Sequence, residues 1–283
     1  MILRSIFLSS MATAALGAAV SVPSLTAQQI VERNAAARGG AAAWQRVHSM
    51  TLAGKMDVGK QRKDGGEIAG NTLKTREQVR SEARLAALGK GKGAAAPTII
   101  QLPFQMDLAR PVKSHLEVPF QGQTAVQVYD GKNGWKLRPF LGRHEVESFT
   151  PDELKIAASQ QELDGALINH AAKGTSVALD GTETLEGRNT YRLKLTYKTG
   201  EVRHLWIDAQ TFLDAKIEAA PRRWDGKTRT VVTYFRDYKP VDGLMIAHRL
   251  ETRIEGVPGA ENIYVDRVAL NPTLAASVFA KPM

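Results

Sequence analysis

Six histidines and a scatter of strand-end acids carry most of the reactive chemistry in this 283-residue chain. His48, His115, His144, His170, His204 and His248 lie far apart, and none stands beside another at metal-ligand spacing. His204 and His248 both fall in strand-like runs. Brought together with an acid in a polar pocket they would suit a hydrolase, while the simpler reading is two ordinary strand histidines. Asp208, Asp214, Asp237 and Asp242 sit at strand ends, where solvated turn residues are the rule, and nothing selects two of them as a glycosidase pair. Asp130-Gly131-Lys132-Asn133-Gly134 has a faint calcium-loop look but lacks the later acidic ligands, so it reads as a turn. There is no GxSxG, HExxH or P-loop, and no GxGxxG between a strand and a helix. Cysteine is absent, which removes disulfides, thiolate zinc sites, iron–sulfur clusters and cysteine nucleophiles together. The residues therefore assign no catalytic centre, no metal and no cofactor.

What remains is bulk chemistry. Apolar residues make up 43% of the chain, enough to build a core, and the length allows one large β domain or two small ones. The net charge of +9 suits nucleic acid, anionic lipid or plain solubility. Arg4, the small and apolar run from Ile6 to Val22, and Leu25-Thr26-Ala27 have the layout of a secretory signal, expected over 1–27. An N-terminal membrane anchor is the alternative, but the run is short and weakly apolar for a bilayer span. The expectation is an exported periplasmic protein, which argues against a nucleic-acid partner.

Elements follow from periodicity. Thr26 or Ser24 can cap a helix through Gln28–Asn34 that stops at Arg38-Gly39-Gly40, with a second short piece over 41–47 carrying Trp44. From Ser49 the period becomes two: Met50, Leu52, Met56 and Val58 share a face that Gly54 interrupts, which suggests a bend or a close backbone approach. Residues 59–97 read as a loop-rich insertion. Ile100, Leu102, Phe104, Met106 and Leu108 then alternate with polar residues, and Pro103 marks an edge or bulged position. A strand over 112–120 leads through Gln121-Gly122 to a hairpin, with a strand over 123–129, the Asp130-Gly131 and Asn133-Gly134 turn signals, and Trp135. Thr150-Pro151-Asp152-Glu153 opens a helix over 150–163. Seven strands between 176 and 269 form a meander, which makes one large antiparallel sheet, open or rolled.

Such a sheet presents more apolar surface than two or three helices cover. Either the helices complete a core, or they form a lid over a cavity for lipid or acyl chains. The cavity reading places Leu52, Met56, Ile100, Leu102, Phe104, Met106, Leu108 and Trp135 in the lining.

Asp130-Gly131-Lys132-Asn133-Gly134-Trp135 followed by Pro139-Phe140 resembles the Asp-Gly-Lys-x-x-Trp … Pro-Phe segment of LolA-type lipoprotein carriers. The strand that closes on Arg110-Pro111 resembles the family strand ending in Arg-Pro, and the ending Asn271-Pro272 to Pro282 is similar to that of outer-membrane lipoprotein-sorting proteins. The resemblance implies a mainly β, α+β fold: a single domain over 28–283, its antiparallel sheet rolled into an unclosed half-barrel with a helical lid. It implies a monomeric, non-enzymatic carrier without cofactor that holds lipoprotein acyl chains or lipid for transfer towards the outer membrane, with membrane-associated sorting proteins as partners. It also implies a role for Arg110 in lid closure, by donating to lid-helix carbonyls. The 59–97 insertion and the basic charge depart from the family pattern. A lipid- or lipoprotein-sensing module that docks a protein partner is the alternative, and a periplasmic hydrolase a weaker one.

Overall fold

The computed structural model describes residues 25–61, 98–139, 142–158, 163–224 and 226–283. Most of the expected signal and of the insertion lie outside these residues. Two helices open the chain, α1 (Ala27–Ala37) and α2 (Ala41–Gln45). Strands β1 (Ser49–Gln61), β2 (Thr98–Ala109), β3 (Lys113–Phe120), β4 (Gln123–Tyr129), β5 (Gly134–Arg138) and β6 (Arg143–Ser148) follow, then α3 (Pro151–Ala158). The second half is β7 (Ser176–Leu185), β8 (Arg188–Thr196), β9 (Val202–Asp208), β10 (Asp214–Trp224), β11 (Lys227–Val241), β12 (Leu244–Ile254) and β13 (Glu261–Leu270), with a 3-10 turn at Ala276–Phe279.

All thirteen strands form one antiparallel sheet in the order β6-β5-β4-β3-β2-β1-β13-β12-β11-β10-β9-β8-β7. The sheet does not close into a barrel, so β6 and β7, neighbours in sequence, are its two edges. The chain between them, α3 and the turns of 163–174, must cross the sheet. The seam between the two halves is β1 against β13, with Met50 opposite Leu270 and Met56 opposite Ile263.

Directly opposed residues share a face, so the register defines an inner and an outer side. Leu52 faces Met106, Met106 faces Leu116, Leu116 faces Gln127 and Gln127 faces Lys136, all on the inner side. One row along, Thr51, Asp107, His115, Val128 and Trp135 lie on the outer side. Pro103 pairs with Lys55 of β1 and lies beyond the β2–β3 ladder, which runs only from Gln105 onward, so β2 is locally unpaired on that flank among the described residues. Gly54 sits at a β-bulge, where a Cβ would meet Tyr264 O at 1.9 Å: the interruption of the apolar face is a close backbone approach.

Three apolar clusters fill the inner side. Ile30 and Val31 of α1 pack with Leu167 on Tyr191, Leu193, Leu205, Ile207 and Ile217. Trp44 of α2, Val47 and Ile168 pack on Met50, Leu244 and Ile246. The third cluster, Phe104, Val118, Ala125 and Val265 with Leu52, Met56, Leu102, Met106, Leu116, Ile263 and Val268, draws every member from a strand.

Candidate functional site

The strand-only cluster brings together Leu52, Met56, Leu102, Phe104 and Met106 of the expected lining, and Leu108 packs against the neighbouring α2 cluster. Phe104 is 4% exposed at the centre of the first group. Two residues fall elsewhere. Ile100 lies beyond a second register shift in β1, opposite Gly59, and joins neither cluster. Trp135 projects to the outer side, because its neighbour Lys136 takes the inner one; the hairpin reading was right about the turn, but strand parity turns the indole away from Phe104.

That turn is built by Asp130. Its Oδ1 accepts from the backbone N–H of Lys132 and Asn133 at 2.7 and 2.6 Å, and Gly131 takes φ +101°. Burial raises the Asp130 pKa, but these bonds together with the Asn133 side chain outweigh it and leave the carboxyl below its ordinary range. Gly134 serves a different purpose from the positive φ expected of Asn133-Gly134. It is a buried strand residue on which the Phe149 ring lies, and a Cβ would stand 2.0 Å from that ring.

Beside the apolar cluster the helical cover is fastened by a buried polar knot. Arg110 donates from Nε to Val47 O at 2.8 Å and from Nη2 to Trp44 O at 3.1 Å, so its guanidinium caps the carbonyls at the end of α2. The same Nη2 reaches Asp164 Oδ2 at 3.0 Å. Asp164, with a side chain 1% exposed, also accepts from Lys173 Nζ, while its backbone carbonyl accepts from Arg38 Nη1 at 2.7 Å. Arg38 in turn lies over the Trp44 ring, whose indole N–H donates to Arg38 O at 2.8 Å. Asn34 of α1 donates to Phe212 O and Asp214 Oδ1, tying that helix to the start of β10. One cluster of ionic and hydrogen bonds thus joins α1, α2, the 163–174 crossing and the β2–β3 turn. The sequence reading found Arg110 but not Asp164, Lys173 or Arg38. The available signal was an acid set among Leu163, Leu167 and Ile168, just past the helix expected over 150–163.

The crossing is pinned further along at α3. Thr150 opens the helix as expected and forms a capping box with Glu153, which also accepts from Lys136 Nζ at 2.6 Å on the inner side of β5. Burial pushes the Glu153 carboxyl up, yet the Lys136 ammonium and the Thr150 N–H outweigh it and hold the pKa below its usual range.

The histidines do not assemble. His204 lies on the outer side against Glu218, with Nδ1 2.8 Å from Oε2, whereas His248 follows the inner-side parity of Leu250 and its Nδ1 lies 2.9 Å from Ile246 O. The His204–His248 pocket of a hydrolase is therefore not formed. Among the described residues no group of three or more metal-ligating side chains occurs, and no helix is long and apolar enough to cross a membrane.

No family model matches the chain, and no curated protein matches it in sequence. Solved structures match it in fold. A LolA superfamily protein, NE2245 from Nitrosomonas europaea, aligns over 91% of this chain and 99% of its own at 15% identity, with a TM-score of 0.51. A DUF1329 family protein from Desulfovibrio piger aligns over 90% of this chain and 97% of its own at 10% identity, with the same TM-score. The open antiparallel sheet with a helical cover is a LolA-like fold.

Proposed function

We propose that the protein is a periplasmic carrier or binder of lipoprotein acyl chains or lipid, held between the inner face and the helical cover for transfer towards the outer membrane. The observation that carries this reading is the apolar cluster around Phe104. Among the described residues it is made by strands alone, and it stands next to a cover fastened through Arg110, Asp164 and their partners. Apolar side chains of five strands can part around an acyl chain at little polar cost, because the cluster contains no hydrogen bond to break. Arg110 and Asp164 hold the cover shut, and entry of a chain requires that pair to separate. Met56 and Met106 supply adaptable lining.

The test is to purify the mature protein from a bacterial periplasm without detergent and run native mass spectrometry with organic extraction. Co-purifying acylated species, or uptake of a fluorescent fatty-acid probe, supports the carrier. Phe104→Asp lowers uptake at least tenfold; Leu102→Ser, a milder change on the same stripe, does so while the β circular-dichroism signal is kept. A clean apo mass with no probe uptake overturns the reading.

A further inference from the structure

The inner stripe has two ends. Ser49, Ala109 and Leu270 lie at the latch end with Arg110, while Leu102, Met56 and Ile263 lie towards the other, where no described helix packs on the strand-only cluster. The β10–β11 hairpin projects from that second end. Its ladder with β9 stops at Ile217–Leu205, and that with β12 stops at Val231–Ile254 with one further bond from Glu255 N–H to Thr230 O at 2.9 Å; nearer the tip β10 and β11 pair with each other. At ~3.3 Å per residue the extension from Ala220 to Trp224 is roughly 15 Å long.

This extension is strongly basic. Between residues 220 and 230 the sequence places Arg222, Arg223, Lys227 and Arg229 against one acid, Asp225. Arg222 stands directly opposite Arg229 in the ladder, a like-charge pairing that works against hairpin stability. Arg222 is met by Glu261 Oε2 at 3.3 Å and Arg229 by Glu255 O at 2.9 Å. Arg223 and Lys227 are exposed, and neither makes an ion pair among the described residues. Beside the hairpin an open groove of about 420 Å³ is lined by Thr230, Val232, Arg253, Ile254, Glu255 and Val257. Cations next to a groove that Val232, Ile254 and Val257 line on its apolar part match an amphiphile: phosphate outside, hydrocarbon within.

We propose that this hairpin docks the protein on an anionic lipid surface, with Arg222, Arg223, Lys227 and Arg229 taking headgroup phosphates and the groove receiving the adjoining hydrocarbon. The charge complementarity selects the surface, since Coulomb attraction to an anionic bilayer favours each cation within a Debye length of it. Docking there brings the Leu102, Met56 and Ile263 end of the apolar stripe to the membrane and leaves the Arg110 latch facing away. The inference extends the carrier reading but is tested apart from it.

The experiment is co-sedimentation of the mature protein with vesicles of phosphatidylglycerol and phosphatidylcholine, and with vesicles of phosphatidylcholine alone. Binding is expected to the mixed vesicles only, and to weaken with added salt. Arg223→Gln with Lys227→Gln lowers it about 25-fold, from about 5-fold per surface cation. Lys132→Gln with Lys281→Gln removes the same charge elsewhere and leaves binding within about 2-fold of wild type, the residual expected of long-range charge under salt screening. Both pairs change exposed side chains, and unchanged melting temperatures confirm intact folds. Absence of wild-type binding, equal loss in the two pairs, or tighter binding to an RNA or DNA oligonucleotide that the hairpin variant also loses would overturn the proposal. Failure here leaves probe uptake by the inner face untouched, so the two readings fail separately.

Discussion

Arg110 and Asp164 meet at 3.0 Å across 54 residues of chain, a contact that ties the turn after β2 to the segment crossing the inner face. Asp164 is almost wholly buried, and Arg110 and Lys173 are the cations that pair with it. Replacing Arg110 with Ala costs about 2–3 kcal/mol in chemical denaturation, less than for a fully buried pair because Arg110 keeps 23% of its side chain exposed. Hydrogen exchange localises the effect: amides of 41–47 and 163–174 lose protection, while those of β8 and β9 do not. A uniform loss would show that the pair supports the whole fold and not the cover.

At Gly54 the crowding atom is backbone. Gly54→Ala places a methyl against Tyr264 O at the β1–β13 bulge, and the seam must shift to admit it. The expected loss is about 3 kcal/mol, the upper range of core overpacking. A melting temperature within the error of wild type would contradict the close approach.

Acid should release α3 before it unfolds the sheet. The folded pKa of Glu153 lies below its unfolded value, so its contribution is complete above the unfolded value and is lost as pH falls through the folded one. Glu153 is about one-third exposed, so the effect is local and modest. Exchange protection of 151–158, corrected for intrinsic rates, drops between about pH 6 and about pH 3. In Glu153→Gln it is low at both, and equal pH dependence in the variant would assign the transition to another carboxylate.

Thr26 accepts from Gln29 N at 3.2 Å and Gln29 Oε1 accepts from Thr26 N at 2.9 Å, closing a capping box at the start of α1, while Leu25 packs against the first apolar cluster. A mature chain beginning at Gln28 lacks both features. It is expected to be less stable than one beginning at Leu25 by at least about 1 kcal/mol, the typical worth of such a cap. Equal denaturation midpoints would refute this.

Much of the architecture was legible because it is local. Alternation gave the strand through Leu102, Phe104 and Met106, turn residues gave the meander after Ser176, and Thr26 and Thr150 announced their helices. β6 was missed: Arg143-His144-Glu145-Val146-Glu147-Ser148 has one apolar residue, as suits an edge strand held through Arg138–Glu147. The side of the sheet that Trp135 takes follows from its register with Val128, which composition does not reveal. The polar knot was the least readable part. Asp164 looks like a solvated loop acid until the fold brings Arg110, Lys173 and Arg38 around it, and those partners are set by pairing between distant segments.

The seam between β1 and β13 also governs how the chain can be made. Each half is a run of hairpins that can zip up locally, but the halves join only when residues some 200 positions apart find each other, as Met50 and Leu270 do. Until β13 has emerged, β1 and β12 are bare edges in the middle of the future sheet, the kind of surface on which separate chains aggregate. Synthesis halted before Glu261 would therefore leave two sticky half-sheets, and a chaperone that shields β1 until the last strand arrives would raise the yield of folded protein more than one acting on the finished edges β6 and β7.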